Sequence, residues 1–168
     1  MLEKKYILGI FLATILIIGG SVFVTAKTND GTTQDTGGRV AVEATTYDWG
    51  EIGIESGKVE KLFSITNTGT GPLRVFNVST SCMCTTAQLL LGEKESPLFG
   101  MHTKVPFVLE ISPQETASLK VVFDPAFHGP SGIGEVTRQI HVETTDPAQK
   151  DITFDLTAKV TPGTTKGQ

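Results

Sequence analysis

The chain has 168 residues and a mass of 18.0 kDa, which allows one domain together with a tail or an anchor. Hydrophobic residues make up 39% and charged residues 19%, which excludes a largely disordered chain. The formal net charge of −4 argues against a nucleic-acid-binding module, because such modules normally carry a basic face. Two cysteines exclude a scaffold of several disulfides and a four-thiolate zinc site. The composition therefore favours a small β domain that is secreted or anchored.

The N-terminus predicts export from the cytoplasm. Residues 1–5, MLEKK, carry a net positive charge, and the twenty residues Tyr6–Thr25 carry none. About 20 apolar residues span a bilayer, so residues 1–26 predict one N-terminal transmembrane helix. The small residues near Ala26 leave open its removal as a signal peptide. The positive flank places the N-terminus in the cytoplasm. We expect a domain anchored to the outer face of the cytoplasmic membrane, or secreted if the helix is cleaved.

The anchor is followed by a tether, a folded domain and a tail. Residues 27–38, KTNDGTTQDTGG, contain no apolar residue and predict a flexible tether. Residues 39–160 predict the folded domain, which is long enough for one sizeable core. Residues 161–168, TPGTTKGQ, predict a disordered tail.

Alternation of apolar and polar residues with a period of two predicts strands throughout residues 39–160. Glycine- and proline-rich turns separate the alternating segments, a pattern typical of an antiparallel sandwich of about seven to eight strands. The predicted strands are Val40–Thr45, Lys58–Asn67, Leu73–Thr80, Lys104–Glu110, Ala117–Asp124, Glu135–Glu143 and Asp151–Val160, with Thr85–Leu91 as a further candidate. The loops Gly92–Thr103 and Pro125–Gly134 exceed hairpin length, and long loops are often functional.

An ordered set of short motifs runs through the predicted domain. The motifs are Tyr47–Ile52 (YDWGEI), Phe63–Gly69 (FSITNTG), Gly71–Leu73 (GPL), Ser81–Thr85 (SCMCT), Ile111–Pro113 (ISP), Val122–Asp124 (VFD) and Thr145–Pro147 (TDP). Over nearly all of Ala44–Val160, this set resembles the bacterial family catalogued as domain of unknown function 1573. The resemblance implies an exported, immunoglobulin-like, all-β sandwich related to the ASPM/SPD-2/Hydin and major-sperm-protein domains, with no established reaction. Met83 departs from the glycine that is common at its position in the family.

Cys82 and Cys84 are the main candidates for chemistry. A disulfide across one intervening residue closes a small, strained ring that is easily reduced. Alternatively, two thiols in one loop suit a soft metal such as Cu(I), although two ligands are too few to close a zinc site. Further donors lie in the long loops at Met101, His102 and His128. These five residues define a candidate copper site. The plainest alternative is a pair of packing cysteines or a structural disulfide.

The number of strands decides whether His128 can reach the cysteines. If Thr85–Leu91 and Lys104–Glu110 are two separate antiparallel strands, both long loops lie at the end opposite the cysteines. If Gly92–Thr103 is instead an excursion within a single pass of the chain from one end of the sandwich to the other, Pro125–Gly134 returns to the cysteine end. The sequence leaves both arrangements open.

The leading functional interpretation is a binding or structural module without catalysis. Its expected partner is another envelope or extracellular protein, with membrane attachment through the N-terminal helix and no nucleic acid. The second interpretation is a copper-binding protein of the cell envelope, and no other cofactor is indicated. Thiol–disulfide exchange is a third, but no Lys, Arg or His lies within three residues of either cysteine to favour the thiolate. Trp49 is expected to anchor the core or cover an edge, and His141 to face solvent.

Overall fold

The computed structural model describes residues 35–103 and 105–163, and these residues form strands joined by turns and one short 3₁₀ helix. The bounds, in chain order, are β1 Val40–Val42, β2 Thr46–Gly53, β3 Val59–Asn67, β4 Leu73–Thr80, β5 Thr85–Leu91, β6 Lys94–Glu95, β7 Val108–Ile111, β8 Thr116–Phe123, the 3₁₀ helix Gly129–Gly132, β9 Gly134–Thr144 and β10 Asp151–Thr161.

The strands form two five-stranded sheets, with the orders β1-β3-β8-β5-β6 and β2-β10-β9-β4-β7. The predicted all-β sandwich is confirmed. All pairings between these strands are antiparallel except that of β2 with β10, where Thr46 lies opposite Asp155 in a parallel ladder. The expectation of a wholly antiparallel sandwich is therefore wrong at this edge, because β2, which the alternation did not predict, adds beside the C-terminal strand.

The core lies between the two sheets and is built from alternate residues of the strands. In β10, Ile152, Phe154 and Leu156 are buried, as the period of two requires. The ring of Phe154 lies 4.8 Å from that of Phe63 in β3, so the inner faces of the two sheets are in contact. This packing joins the layers in the manner of a face-to-face β-sandwich.

Asn67 ties the end of β3 to three neighbouring segments. Its side chain is fully buried. Its amide nitrogen donates to the carbonyl oxygens of Gly71 and Ile111, each at 2.9 Å. Its Oδ1 accepts from the backbone N–H of Arg39 at 3.2 Å and of Gly69 at 3.0 Å. The asparagine of the FSITNTG motif thus satisfies backbone groups that the turn would otherwise leave unpaired.

Residues 36–38, which the sequence assigned to the tether, contact this same turn. The Thr36 hydroxyl donates to the Pro72 carbonyl at 2.5 Å, and Gly37 O accepts from Thr70 N at 3.0 Å. A Cβ at Gly71 would lie only 1.8 Å from Thr36 O, so the close approach requires glycine there. Residues 36–38 therefore pack on the folded domain ahead of β1.

The predicted N-terminal helix, residues 1–26, lies outside the described residues, as do most of the predicted tether and residues 164–168 of the predicted tail. Within residues 35–103 and 105–163, we find no helix with the length and apolar character needed to cross a membrane. Thr161, assigned to the tail by the sequence, is the last residue of β10.

Candidate functional site

Both cysteines lie in the turn that connects the two sheets between β4 and β5. β4 ends at Thr80 and β5 begins at Thr85, and the two strands belong to different sheets. The Thr80 hydroxyl lies 3.0 Å from the carbonyl oxygens of both Cys82 and Thr85, and Thr85 N donates to Cys82 O at 3.1 Å. Because backbone groups of the turn are paired in this way, the cysteines are held in one arrangement at the end of the sandwich.

Cys82 and Cys84 form a disulfide, with their Cα atoms 5.3 Å apart. The two sulfurs have different surroundings. Cys84 is 3% exposed and packs in a small cluster with Ile52, Phe123 and Val160. Cys82 is only half-buried. The disulfide therefore presents one sulfur toward the surface and keeps the other in the interior.

The long loop after β8 returns to this end and brings His128 to Cys82. Phe123, the last residue of β8, pairs with Thr85, and Asp124 N donates to Cys84 O at 2.9 Å. His128 Nε2 lies 3.3 Å from Cys82 Sγ. The donor atoms of Cys82, Cys84 and His128 all lie within 4.8 Å of one another. A disulfide and an exposed imidazole thus share one small volume.

The course of the chain after β5 explains this convergence. Glu95 in β6 pairs with Leu90, and Phe99 forms a bridge with Ala87, so the segment after β5 doubles back along that strand. The segment between β5 and β7 therefore runs back along β5 toward the cysteine end. The loop after β8 lies at the cysteine end, as the second of the two arrangements predicted, although β5 and β7 are separate strands in different sheets.

Arg138 is the residue of this site that the sequence interpretation missed. Its Nε donates to Cys84 Sγ at 3.0 Å, and its guanidinium carbon lies 5.5 Å from the centre of the Phe123 ring. The side chain is half-buried, and this burial lowers the pKa of Arg138. Arg138 occupies an inward position of β9, between Val136 and Ile140, and a charged residue on that apolar face is the signal that could have found it.

His102 is not part of this group, and Met101 lies on a surface cavity. Both residues are exposed. Met101 lines a surface cavity beside β4 and β9, together with Ser79 and Glu143. Within residues 35–103 and 105–163, the cluster of candidate donor atoms around the disulfide includes His128 and leaves out His102.

Trp49 and His141 lie where the sequence placed them. The Trp49 ring stacks on Phe123, with centroids 5.7 Å apart, and its Nε1 is buried without a hydrogen-bond partner among the described residues. Trp49 thus closes the core at the edge strand β2. His141 is exposed on β9, and its Nδ1 lies 3.1 Å from the Thr153 hydroxyl.

Large apolar side chains are exposed in the two loops that meet at the disulfide. Met83, between the cysteines, is 54% exposed, and Phe127, beside His128, is 48% exposed. Ile133 follows the 3₁₀ helix in the same loop and is also exposed. We refer to Met83, Phe127 and Ile133 as the cysteine-end surface.

The two sheets and their Greek-key-like strand orders define an immunoglobulin-like β-sandwich with a disulfide at one end. The model of the family described as "Protein of unknown function (DUF1573)" matches residues 40–160. The chain belongs to this family, and the resemblance inferred from the motifs is confirmed. The search of curated proteins gave no match.

Several solved structures are similar to this chain. A protein of unknown function from Porphyromonas gingivalis W83 is similar with a TM-score of 0.58 at 22% identity, covering 78% of this chain and 51% of that one. The chain therefore spans about half the length of that protein. A PapD-like domain of human CEP192 has a TM-score of 0.45 at 14% identity, covering 82% of this chain and 92% of that one. A family 123 glycoside hydrolase from Clostridium perfringens has a TM-score of 0.46 at 16% identity, covering 68% of this chain and 23% of that one. At these identities the likeness concerns the fold alone.

Proposed function

We propose that the chain is an extracytoplasmic, membrane-anchored, immunoglobulin-like module that binds another protein of the cell envelope through its cysteine-end surface. The observation that carries this proposal is the exposure of Met83, Phe127 and Ile133 in two loops that meet at one end of the sandwich. The positively charged N-terminus and the uncharged segment Tyr6–Thr25 support export and anchoring.

The chemistry of this surface suits contact with a protein. Methionine adapts to irregular partners, and aromatic side chains contribute large contact areas at interfaces. The loops are tied to the strands by backbone hydrogen bonds, such as Asp124 N to Cys84 O, so binding would require little ordering of the loops. The acidic net charge disfavours the alternatives of nucleic acid and anionic lipid.

Site-specific cross-linking in native membranes tests this proposal. A photoreactive amino acid is placed at Met83 or at Phe127 of the full-length chain, with Leu62 as the matched control. Leu62 is equally apolar and 55% exposed, but it lies within β3, opposite Lys120 of β8, and belongs to neither loop. We expect one common partner to be cross-linked from positions 83 and 127 and not from 62. Cross-links absent from both positions, or equal from all three, would contradict the proposed surface.

Location is tested separately by protease protection. In cells whose outer layers have been removed and whose cytoplasmic membrane is intact, a protease added from outside should digest the residues after 26. The N-terminal segment should stay protected. Digestion only after the membrane is opened would contradict an extracytoplasmic domain.

A second candidate function, copper binding, is favoured by the group of Cys82, Cys84 and His128. After reduction, two thiolates and one imidazole would offer the soft donors that suit Cu(I). We expect reduced full-length protein to retain one equivalent of Cu(I), to lose it with His128→Ala, and to keep it with Met101→Leu. Metal retained by His128→Ala, or bound by none of the proteins, would count against this donor set.

A further inference from the structure

We propose that the Cys82–Cys84 disulfide exchanges with the thiols of a bound polypeptide, so that the cysteine end is a dithiol–disulfide oxidoreductase centre. This inference goes beyond the proposed binding function and rests on it only for the partner, which becomes a protein that carries cysteines. Three features of the described residues carry it: the unequal exposure of the two sulfurs, an arginine at one of them and a histidine at the other.

The unequal exposure gives the exchange a direction. An incoming thiolate must approach a disulfide sulfur directly, and access decides which sulfur is attacked. Cys82 is half-buried and borders the cysteine-end surface, whereas Cys84 is almost wholly buried. Attack therefore falls on Cys82, and Cys84 is the sulfur that leaves.

Arg138 is placed to receive the negative charge of the leaving sulfur. Its Nε donates to Cys84 Sγ at 3.0 Å. Within residues 35–103 and 105–163, Arg138 forms no ion pair with a carboxylate. A half-buried guanidinium remains protonated and is costly to leave without an anion. A thiolate on Cys84 would supply that anion, so the folded protein favours the reduced pair more than an isolated dithiol would.

His128 is placed to handle the proton at the other sulfur. Its Nε2 lies 3.3 Å from Cys82 Sγ, and the side chain is exposed. A neutral imidazole there can accept the proton of an incoming thiol and later return it to Cys82. The neighbouring Phe127 and Met83 would contact the polypeptide that brings this thiol.

The exchange balances in two steps. A partner thiol gives its proton to His128 and attacks Cys82 Sγ; a mixed disulfide forms, and the electron pair of the broken S–S bond leaves on Cys84 beside Arg138. The second thiol of the partner loses its proton to water, and the resulting thiolate attacks the partner's sulfur in the mixed disulfide. This attack releases Cys82, which takes the proton from His128. The partner dithiol has lost two electrons and become a disulfide, and the cysteine pair has gained them. A disulfide of another polypeptide restores the pair by the reverse steps.

The role of Arg138 is tested by the equilibrium of the full-length chain with reduced and oxidised glutathione. We expect Arg138→Gln to shift this equilibrium about tenfold toward the Cys82–Cys84 disulfide, because the thiolate loses its cation. Arg138→Lys keeps the charge and should remain close to the wild type. The matched control is Arg74→Gln, which removes an exposed arginine of β4 that pairs with Glu110 of β7. Circular dichroism before each titration restricts the comparison to folded variants.

The role of His128 is tested by the rate of oxidation of a model peptide that carries two cysteines. We expect His128→Ala to slow this rate about tenfold while leaving the glutathione equilibrium unchanged, since a proton carrier alters the path and not its end points. Phe127→Ala should slow the peptide reaction and leave the reaction with glutathione unaffected.

Two results would overturn the inference. One is a glutathione equilibrium that is identical in wild type, Arg138→Gln and Arg138→Lys. The other is a wild-type disulfide that oxidises the peptide no faster than a short synthetic Cys-Met-Cys disulfide does. Both measurements are independent of the cross-linking experiment, so the binding proposal and this inference fail separately.

Discussion

Replacing Asn67 by alanine should destabilise the sandwich more than any exposed substitution in β3. The side chain is fully buried and forms four hydrogen bonds to backbone groups of three segments. The Ile111 carbonyl and the Gly69 N–H lie deepest and would lose their partners without access to water. At about 1–3 kcal/mol for each of these two unsatisfied buried groups, Asn67→Ala should lower the free energy of unfolding by about 2–6 kcal/mol.

Urea unfolding followed by tryptophan fluorescence measures this change. Thr66→Ala is the matched control, because it removes a neighbouring hydrogen bond, to Thr116, that is exposed. We expect the control to lose less than about 1 kcal/mol. Asn67→Asp should be as damaging as alanine, because a carboxylate cannot donate to the Gly71 and Ile111 carbonyls. A loss below about 1 kcal/mol for Asn67→Ala at an unchanged m-value would mean that these four hydrogen bonds do not hold the turn in place.

Three further predictions concern single features of the fold. Reduction of the Cys82–Cys84 disulfide should lower the unfolding free energy by only about 1–2 kcal/mol in urea titrations, because the closed loop is very short. A loss above about 4 kcal/mol would instead identify the disulfide as a cross-link on which the stability of the fold depends. Trp49→Phe should change stability by less than about 1 kcal/mol in urea unfolding followed by circular dichroism, because the smaller ring removes a buried N–H that has no partner in the described residues; a loss near that of Asn67→Ala would contradict this. The hydrogen bond from Arg39 lowers the pKa of Asp35 to about 2, so its stabilising effect is present above the ordinary value of 3.8 and is lost as the pH falls toward 2. In carboxyl NMR titrations, Arg39→Gln should raise the midpoint of Asp35 toward its ordinary value, although the hydrogen bond from the Gly37 N–H remains; an unchanged midpoint would exclude Arg39 as the main cause of the lowered pKa.

Strands with clean alternation were predictable, and the strand without it was not. Asp151–Val160 alternates strictly and forms β10, one residue longer than predicted. β2, Thr46–Gly53, has a single fully buried residue, Ile52, and therefore gives no period-two signal. Its parallel pairing with β10 depends on which sheet edge is free, which is a property of the assembled sandwich.

The candidate site was predictable only where the chemistry was local. Cys82 and Cys84 stand out by spacing alone. His128 contacts Cys82 across 46 residues of sequence, and Arg138 contacts Cys84 across 54. Such contacts depend on how the chain folds back between the two ends of the sandwich. The apolar pattern of β9 did place Arg138 on the inner face, so the position was visible although its contact with Cys84 was not.

Trapping of a mixed disulfide in native membranes shows whether the cysteine end meets a cysteine-bearing partner. In Cys84→Ala, the Cys82 thiol can still form a mixed disulfide by attacking a disulfide of the partner, and Cys84, which would release this complex in the reverse reaction, is absent. We expect this variant to accumulate a covalent complex with an envelope protein, which dithiothreitol reverses and Phe127→Ala diminishes. The matched variant Cys82→Ala, which keeps only the buried thiol, should form none. An absence of any complex in Cys84→Ala, or equal complexes in both variants, would mean that Cys82 does not exchange with a bound partner.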